Sequence, residues 1–465
     1  MVRQLNNIPV TLQLLDSPRR DLEHKIVLAY HLAAKGIASI IGTQPYIRKI
    51  HSQSKNSIWL GRLGSNDGNH NKDKFLRGMM SELNTKLFYL HDEGAFFLRG
   101  YFKNGIIQRH SPDLVKEIQT ARFFFWGEKQ KEIFASLINA HKETLLATVG
   151  APRLDLCKQK YEKLDQEQIS YLKTTYGNFI LFCTRFGNFN AAPDVISPFS
   201  KRRFEIYQSG FSSQPEAMNH VFERWHKAGN DFIAFIKLIQ KAAFAHPDQL
   251  FLVRPHPSED KRFYEEAFNE FSNIIIDNTG DLRPIIRAAK LVIHSECTSG
   301  LESVLSGTPS INFVPNQENY PDLCVEGLDE LPPVARTVEQ VLEMISDHIN
   351  GKIIGDTSLP TSLLNIIYNI EHEAIPTIAN YVYNFCLENN LTTSFRSVPV
   401  NQQASYLYQS AKKVAKPVIK GPLTAGKKVP LTHFNVEKLF ENVQKIIGTK
   451  ANLKTIASDH IIITP

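Results

Sequence analysis

In the segment Leu291–Pro309, the apolar run Leu291-Val292-Ile293-His294 passes into Ser295-Glu296-Cys297-Thr298-Ser299-Gly300 and then Leu301-Glu302. A buried strand that enters such a turn and then a helix aims free backbone N–H groups and the positive helix end at one place, which makes a cradle for an anion. Thr298 and Ser299 add hydroxyl donors, Gly300 lets a phosphate approach the backbone, and Gly307-Thr308-Pro309 turns the chain into the next strand. Upstream, Leu252-Val253-Arg254-Pro255-His256-Pro257 ends another apolar run in a cation and an imidazole, on a backbone stiffened by two prolines. A single histidine at a strand end is ordinarily a structural hydrogen-bonder. Here His256 and His294 both accompany the hydroxyl-lined helix start, and open α/β sheets bind ligands at the carboxyl ends of their strands. Convergent donors of this kind suit a diphosphate or a phosphodiester.

The carboxylates lie elsewhere. His91-Asp92-Glu93-Gly94 follows the apolar run Lys86–Leu90, so Asp92 or Glu93 is placed either to take a proton from an attacking hydroxyl or to stabilise an oxocarbenium-like centre. Gly94 beside them fits a close backbone approach. Arg185 and Asn188 follow the apolar run that ends in Cys183 and are candidates to reach phosphates or the second substrate. Asp155, Glu259 and Glu296 form a reserve of further carboxylates. There is no Asp-x-Asp pair to clamp a divalent cation on a diphosphate, so no metal is expected. Charge on a leaving phosphate then falls to Arg254, His256, helix dipoles and backbone amides. No Walker-type loop, Gly-x-Gly-x-x-Gly or Ser/His/Asp order points to another chemistry.

The elements that must position these residues read as strands alternating with helices. Val10–Asp16, a helix over Leu22–Lys35 and Ile37–Gly42 form a βαβ unit, continued by strands at Ser57–Leu63, Lys86–Leu90, Ala121–Trp126 and Thr144–Val149. A second series begins at Asn178–Cys183 and runs through helices at Gln214–Ala228 and Asp231–Ala245. It continues with strands at Gln249–Arg254, Asn273–Asp277, Leu291–His294 and Ser310–Val314. The pattern predicts an α/β chain of two Rossmann-like, doubly wound domains, 1–170 and 171–337, followed by a helical C-terminal extension over 338–465. Within 411–430, six lysines sit among Pro417, Gly421, Pro422 and Gly426, a basic loop suited to a solvated linker or to anionic lipid headgroups.

Composition bounds the rest. With 465 residues, 42% hydrophobic and 22% charged, the chain can bury sizeable cores. A net charge of +6 is too slight to argue for nucleic acid. Five widely spaced cysteines without a CxxC pair fit a reducing compartment, and no apolar run is long enough to span a bilayer, so a cytoplasmic protein with at most peripheral membrane contact is expected.

Arg254-Pro255-His256-Pro257, followed by His294-Ser295-Glu296-Cys297-Thr298-Ser299-Gly300-Leu301-Glu302 and Gly307-Thr308-Pro309, resembles the nucleotide half of GT-B glycosyltransferases. More narrowly, it is similar to the bacterial surface-carbohydrate (capsule and lipopolysaccharide) biosynthesis family. The first half is similar to that family through Arg19–Ala29, His91–Gly94 and Gly150–Asp155. The resemblance covers residues 8–320 and implies a nucleotide-sugar donor, with Glu302 on the ribose hydroxyls and His256 and His294 at the donor phosphate. It inclines the donor towards a CMP-activated Kdo or nonulosonate and the acceptor towards a glycan or lipid-linked glycan. Two alternatives remain: a nucleotide-sugar 2-epimerase, whose usual His-Pro-Arg order differs from the order here, and a non-catalytic GT-B scaffold subunit of a glycan assembly complex.

Overall fold

The structure, a computed structural model, describes residues 2–15, 18–63, 74–110, 121–138, 145–200, 211, 213–352, 359–396, 431, 434–448, 450–456 and 459–465. The basic loop at 411–430 lies outside these residues. The chain forms two compact units: residues 1–95, 109–156 and 367–465 make the first, and residues 96–108 and 157–366 the second.

The first unit is built on β1 (Val10–Leu14), β2 (Ala38–Gly42), β4 (Ile58–Leu60), β5 (Lys86–Leu90), β6 (Ala121–Phe125) and β7 (Leu146–Thr148), with β3 (Ser54–Lys55) as a short excursion. These strands run parallel in the order β2-β1-β4-β5-β6-β7. β1 and β2 are buried at every position, as strands covered on both faces must be. The helix Pro18–Ala33 between them starts on a proline, whose missing N–H costs nothing in a first turn, and Gly36 at φ +81° turns the chain back into β2.

The second unit carries β8 (Phe179–Cys183), β9 (Leu250–Arg254), β10 (Ile274–Ile276), β11 (Leu291–His294), β12 (Ser310–Phe313) and β13 (Val334–Ala335) in the order β10-β9-β8-β11-β12-β13. All five pairings are parallel. Counted from its own first strand, this is the 3-2-1-4-5-6 order of the Rossmann fold. Alternate residues of the strands feed two separate cores. Ile180, Phe182, Phe251 and Ile293 pack with Phe235 and Ile239 of the helix Gln214–Ala245 and with Val341 of the helix Val338–Ile349. Phe179, Leu181, Leu252 and Val292 pack with Ile169 and Leu172 of Gln166–Tyr176 and with Ile285 of Leu282–Ala288. The sheet is therefore doubly wound, with each fully buried aromatic or aliphatic side chain contributing about 1.5–3 kcal/mol.

Three expectations change. Gln214–Ala245 is one continuous helix of 32 residues, not two. Gly229 and Asn230 read as a break, but the glycine admits Phe189, whose ring would stand 2.7 Å from a Cβ there. The expected boundaries at 170/171 and 337/338 are replaced by crossings at 156/157 and 366/367, with residues 96–108 also in the second unit. Finally, the C-terminal region is not a separate helical extension. Val338–Ile349 belongs to the second unit, and residues 367–465 complete the first. There β14 (Ser394–Phe395) pairs antiparallel with β3, while β15 (Asn452–Ile456) and β16 (His460–Thr464) form a hairpin whose Ile461 and Ile463 lie opposite Ile41 and Ser39 of β2. Burial of Ile461, Ile462 and Ile463 at the sheet edge is what recruits this segment.

Asp155, one of the reserve carboxylates, has a structural task. Its Oδ1 accepts from Asn369 Nδ2 (2.6 Å) and Ala374 N (3.0 Å), and its Oδ2 accepts from Ile375 N (2.7 Å), which satisfies the start of the helix Ala374–Glu388.

Candidate functional site

In the second unit, β8 and β11 are neighbours whose onward connections lead to opposite halves of the sheet, so the crevice at their carboxyl ends is the topological switch point. The residues just beyond the two strands meet there. An Arg185 guanidinium nitrogen lies 3.0 Å from Glu296 Oε2, and Lys227 Nζ, from the long helix, lies 2.7 Å from Glu296 Oε1 and 2.7 Å from Asp231 Oδ2 one turn further on. Val325 N donates to Glu296 Oε2 (2.8 Å), and Asn316 Nδ2 donates to Asp231 Oδ1 (2.8 Å). Glu296 is a non-glycine residue at φ +42°, held by its own N–H donating to Asn312 Oδ1 at 3.0 Å.

Burial disfavours the charges on Glu296, Lys227 and Arg185, but the opposite charges outweigh it. Glu296 is held below its ordinary carboxylate range by Arg185 and Lys227, while Lys227 and Arg185 are held above theirs, chiefly by Glu296. Arg185, Lys227 and Asp231 of this group line a small, partly open recess of about 50 Å³ together with Asn188, Arg224 and apolar residues. Sequence reasoning named Arg185 and Asn188 here and held Glu296 in reserve. It missed Lys227 and Arg224, although Lys227 and Asp231 stand at the i, i+4 spacing of a helical ion pair.

The remaining predicted donor-site residues divide into those that line a surface and those that support one. Thr298 opens the helix Thr298–Ser306 and is half-buried, and His256 is exposed. His256 Nδ1 shares a hydrogen bond with Ser258 Oγ (2.7 Å), while its backbone N donates to Glu259 Oε1 (3.0 Å). Glu259 is thereby explained: Oε1 also accepts from Thr184 Oγ1 (2.7 Å) and Oε2 from Tyr264 OH (2.5 Å), so this buried carboxylate fixes the loop that carries His256. Arg254 donates to the carbonyls of Thr279 (2.5 Å) and Gly280 (2.6 Å) and thus ties β9 to the loop after β10. Glu302 is 8% exposed on the helix behind Thr298.

His294, Ser299 and Gly300 depart from expectation. His294 is fully buried with neither ring nitrogen hydrogen-bonded, and burial, with Arg185 nearby, pushes its pKa down to about 3, so the ring is neutral. Ser299 is 1% exposed beside the Cys183 thiol. A Cβ on Gly300 would stand 2.1 Å from His294 Nε2, so the glycine makes room for the imidazole. These three residues shape the helix start from beneath.

In the first unit the corresponding crevice lies between β1 and β4. Arg62 follows β4 directly after Gly61 at φ +119°, and Lys25 comes from the helix Pro18–Ala33. Both reach Asp92 beyond β5: Arg62 Nε lies 3.2 Å from Oδ2 and Lys25 Nζ 3.9 Å from Oδ1. Burial raises the Asp92 pKa, with Lys25 and Arg62 pulling the other way and Asp21 adding to the rise. Glu93 turns outward, 43% exposed, and pairs with Arg20 (2.9 Å) and Arg109 (3.5 Å). The two adjacent carboxylates therefore occupy different surroundings. Gly94 accommodates the Trp126 indole, which would be 3.2 Å from a Cβ. Lys25 and Arg62 were not anticipated, although Arg62 shares the strand-end position that singled out Asp92.

Among the described residues no group of three or more His, Cys, Asp and Glu side chains is placed to hold a metal ion, and no helix is long and apolar enough to cross a membrane.

No protein-family model matches the chain, and no curated protein sequence does. Among solved structures, the UDP-GlcNAc 2-epimerase of Methanocaldococcus jannaschii is similar with a TM-score of 0.48 and 12% identity, over 81% of this chain and 100% of that one. The wall teichoic acid polymerase TagF is similar with a TM-score of 0.37 and 10% identity, over 83% of this chain and 90% of that one.

Proposed function

We propose that the protein is a GT-B-type glycosyltransferase that moves a sugar from a nucleotide donor held by the second unit to a glycan acceptor held by the first. The observation that carries this reading is the switch point of the second unit. A parallel sheet in mononucleotide-binding order gathers Arg185, Lys227 and the start of the helix Thr298–Ser306 at one crevice, the place where such sheets take phosphorylated ligands.

On this reading, His256, Thr298 and the amides of the helix start meet the donor phosphate, and Glu302 accepts hydrogen bonds from the ribose hydroxyls. The acceptor hydroxyl attacks the anomeric carbon, the bond from that carbon to the phosphate oxygen breaks, and the nucleotide leaves with the electron pair. Asp92 takes the hydroxyl proton. Its raised pKa suits a base, and Lys25 and Arg62 hold it in place. Charge on the leaving phosphate is met by fixed dipoles and imidazole without a metal clamp. The Arg254-Pro255-His256-Pro257 sequence supports a CMP-activated acidic sugar, Kdo or a nonulosonate, as donor, and a bacterial surface glycan or its lipid-linked precursor as acceptor.

Isothermal titration with CMP, CDP, UDP and GDP tests the reading. CMP is expected to bind most tightly. Binding of UDP or GDP alone would overturn the donor class, and binding of none of the four would overturn the function.

A further inference from the structure

The turn that carries Asp92 is closed by the side chain of the residue before it. Glu93 N donates to His91 Nδ1 at 3.0 Å, so the imidazole bridges the two residues that flank Asp92. This is the i to i+2 bond that an asparagine or aspartate side chain makes in an Asx turn, made here by a ring nitrogen. Trp126 fixes the same turn from outside: its Nε1 donates to the His91 carbonyl (2.9 Å), and its indole fills the space at Gly94. A backbone N–H can only donate, so Nδ1 presents its lone pair and the proton of the neutral ring sits on Nε2. His91 is 4% exposed, and burial, with His110 and Arg109 nearby, holds its pKa well below the ordinary histidine value. The ring therefore stays in the form that can accept.

We propose that His91 is the positioning residue of the base: its ring clasps the turn so that the Asp92 carboxylate is presented to Lys25 and Arg62. The inference rests on the glycosyl-transfer reading, in which Asp92 takes the acceptor proton, and deepens it by naming what aims that carboxylate. Asp92 and Glu93 are neighbours on one turn, yet Asp92 Oδ2 lies 3.2 Å from Arg62 Nε while Glu93 is 43% exposed beside Arg20. The clasp is what separates the two. The charged groups that face Asp92 are Lys25, Arg20 and Asp21 from the helix Pro18–Ala33 and Arg62 from beyond β4. They act on its carboxylate from other elements, whereas His91 acts on the turn itself.

The test compares three variants of the full chain. His91→Asn keeps an acceptor near the Nδ1 position, His91→Gln is longer but places its carbonyl one bond too far, and His91→Ala has no acceptor. One readout is the midpoint of the Asp92 carboxyl titration by carbon-13 NMR. The other is release of CMP from CMP-N-acetylneuraminic acid, in which water attacks the anomeric carbon, CMP leaves with the electron pair and Asp92 takes a proton from the water. Burial raises the Asp92 pKa in the native chain, so the midpoint is expected to fall towards the ordinary carboxylate range in His91→Ala and His91→Gln. In both, kcat is expected to drop about 10²-fold, as a misplacement of about 1 Å does, with KM for the donor near native. His91→Asn is expected to keep the native midpoint and most of kcat. A native midpoint or native kcat in folded His91→Ala, or recovery by His91→Gln and not by His91→Asn, would overturn the proposal. Where His91→Ala fails to fold, the contrast between Asn and Gln decides alone. A native chain that releases no CMP while the midpoints shift as expected sinks the glycosyl-transfer reading and leaves the clasp standing.

Discussion

Gly300 and His294 occupy a space that has room for one side chain: a Cβ on the glycine would come within 2.1 Å of the imidazole Nε2. Because the ring is fully buried, it cannot swing out to solvent without opening the core under β11. Gly300→Ala is expected to destabilise the second unit by about 1–3 kcal/mol through overpacking. Adding His294→Ala should return part of the loss, a non-additivity of at least about 0.5 kcal/mol for two side chains in contact. Urea denaturation of the two single variants and the double variant measures it, and strict additivity would contradict the contact.

Acid should weaken the fold before it protonates most carboxylates. Burial lowers both His24, in the first unit, and His294, in the second, to about 3. In the unfolded chain both revert to about 6.5. Between these values the unfolded state binds protons that the native state does not, so stability falls as pH drops below about 6.5, by up to about 1.4 kcal/mol per pH unit for each histidine, and levels off near 3. Denaturation midpoints from pH 8 to 4 test the slope, which should become shallower for the second unit in His294→Asn.

At the donor site, His256→Ala and Glu302→Ala should each weaken CMP binding by about 1.5–3 kcal/mol if the lost bond is charge-assisted. His256 is exposed on its loop, so its removal should leave the fold intact. Unchanged affinity in both folded variants would remove this helix start from the donor site.

Asp92 and Glu93 should differ sharply. Asp92→Asn removes the base and is expected to lower turnover about 10²–10⁴-fold. It also leaves Lys25 and Arg62, both under 10% exposed, without their shared counter-ion, so its thermal midpoint should fall. Glu93→Gln, at 43% exposure, should change either quantity little. Near-native turnover in Asp92→Asn would move the chemistry elsewhere.

Asp165 offers a purely structural contrast. Its carboxylate, 2% exposed, takes Arg283 at 2.6 Å and also pairs with Arg287. Asp165→Asn removes the carboxylate that Arg283 and Arg287 share and should cost about 3–5 kcal/mol, with nucleotide affinity of the folded fraction unchanged. Titration with CMP below the melting temperature distinguishes this from a binding defect.

Strand identities were readable because period and composition are local. Leu291–His294 coincides with β11 to the residue, and Phe179–Cys183 lies within one residue of its expected start. Strand order was not readable, since nothing in β8 states that β11 will lie beside it. The candidate site depends on that order: Arg185 and Glu296 are 111 positions apart and meet only because two strands pair. Glycine was the most misleading residue. Gly300 suggested a phosphate at the backbone, Gly94 a close backbone approach and Gly229 a helix break, and each gives up its side chain to a neighbouring ring, of His294, Trp126 and Phe189. A sequence shows that a Cβ is missing and not what fills its place. The hairpin β15–β16 escaped notice because Ile461–Ile463 is too short an apolar run to separate from a loop without the β2 edge that receives it.

That hairpin also fixes an order of events during synthesis. All of the second unit has been synthesised once residue 366 is made, whereas the first unit still lacks β14, β15, β16 and the helix that Asp155 caps. The second unit can therefore fold while the first waits with the flank of β2 unpaired, until residues 460–464 are made and close it. A nascent chain stalled between residues 366 and 460 would expose that flank to other strands, so the vulnerable stretch of its synthesis lies between those two positions.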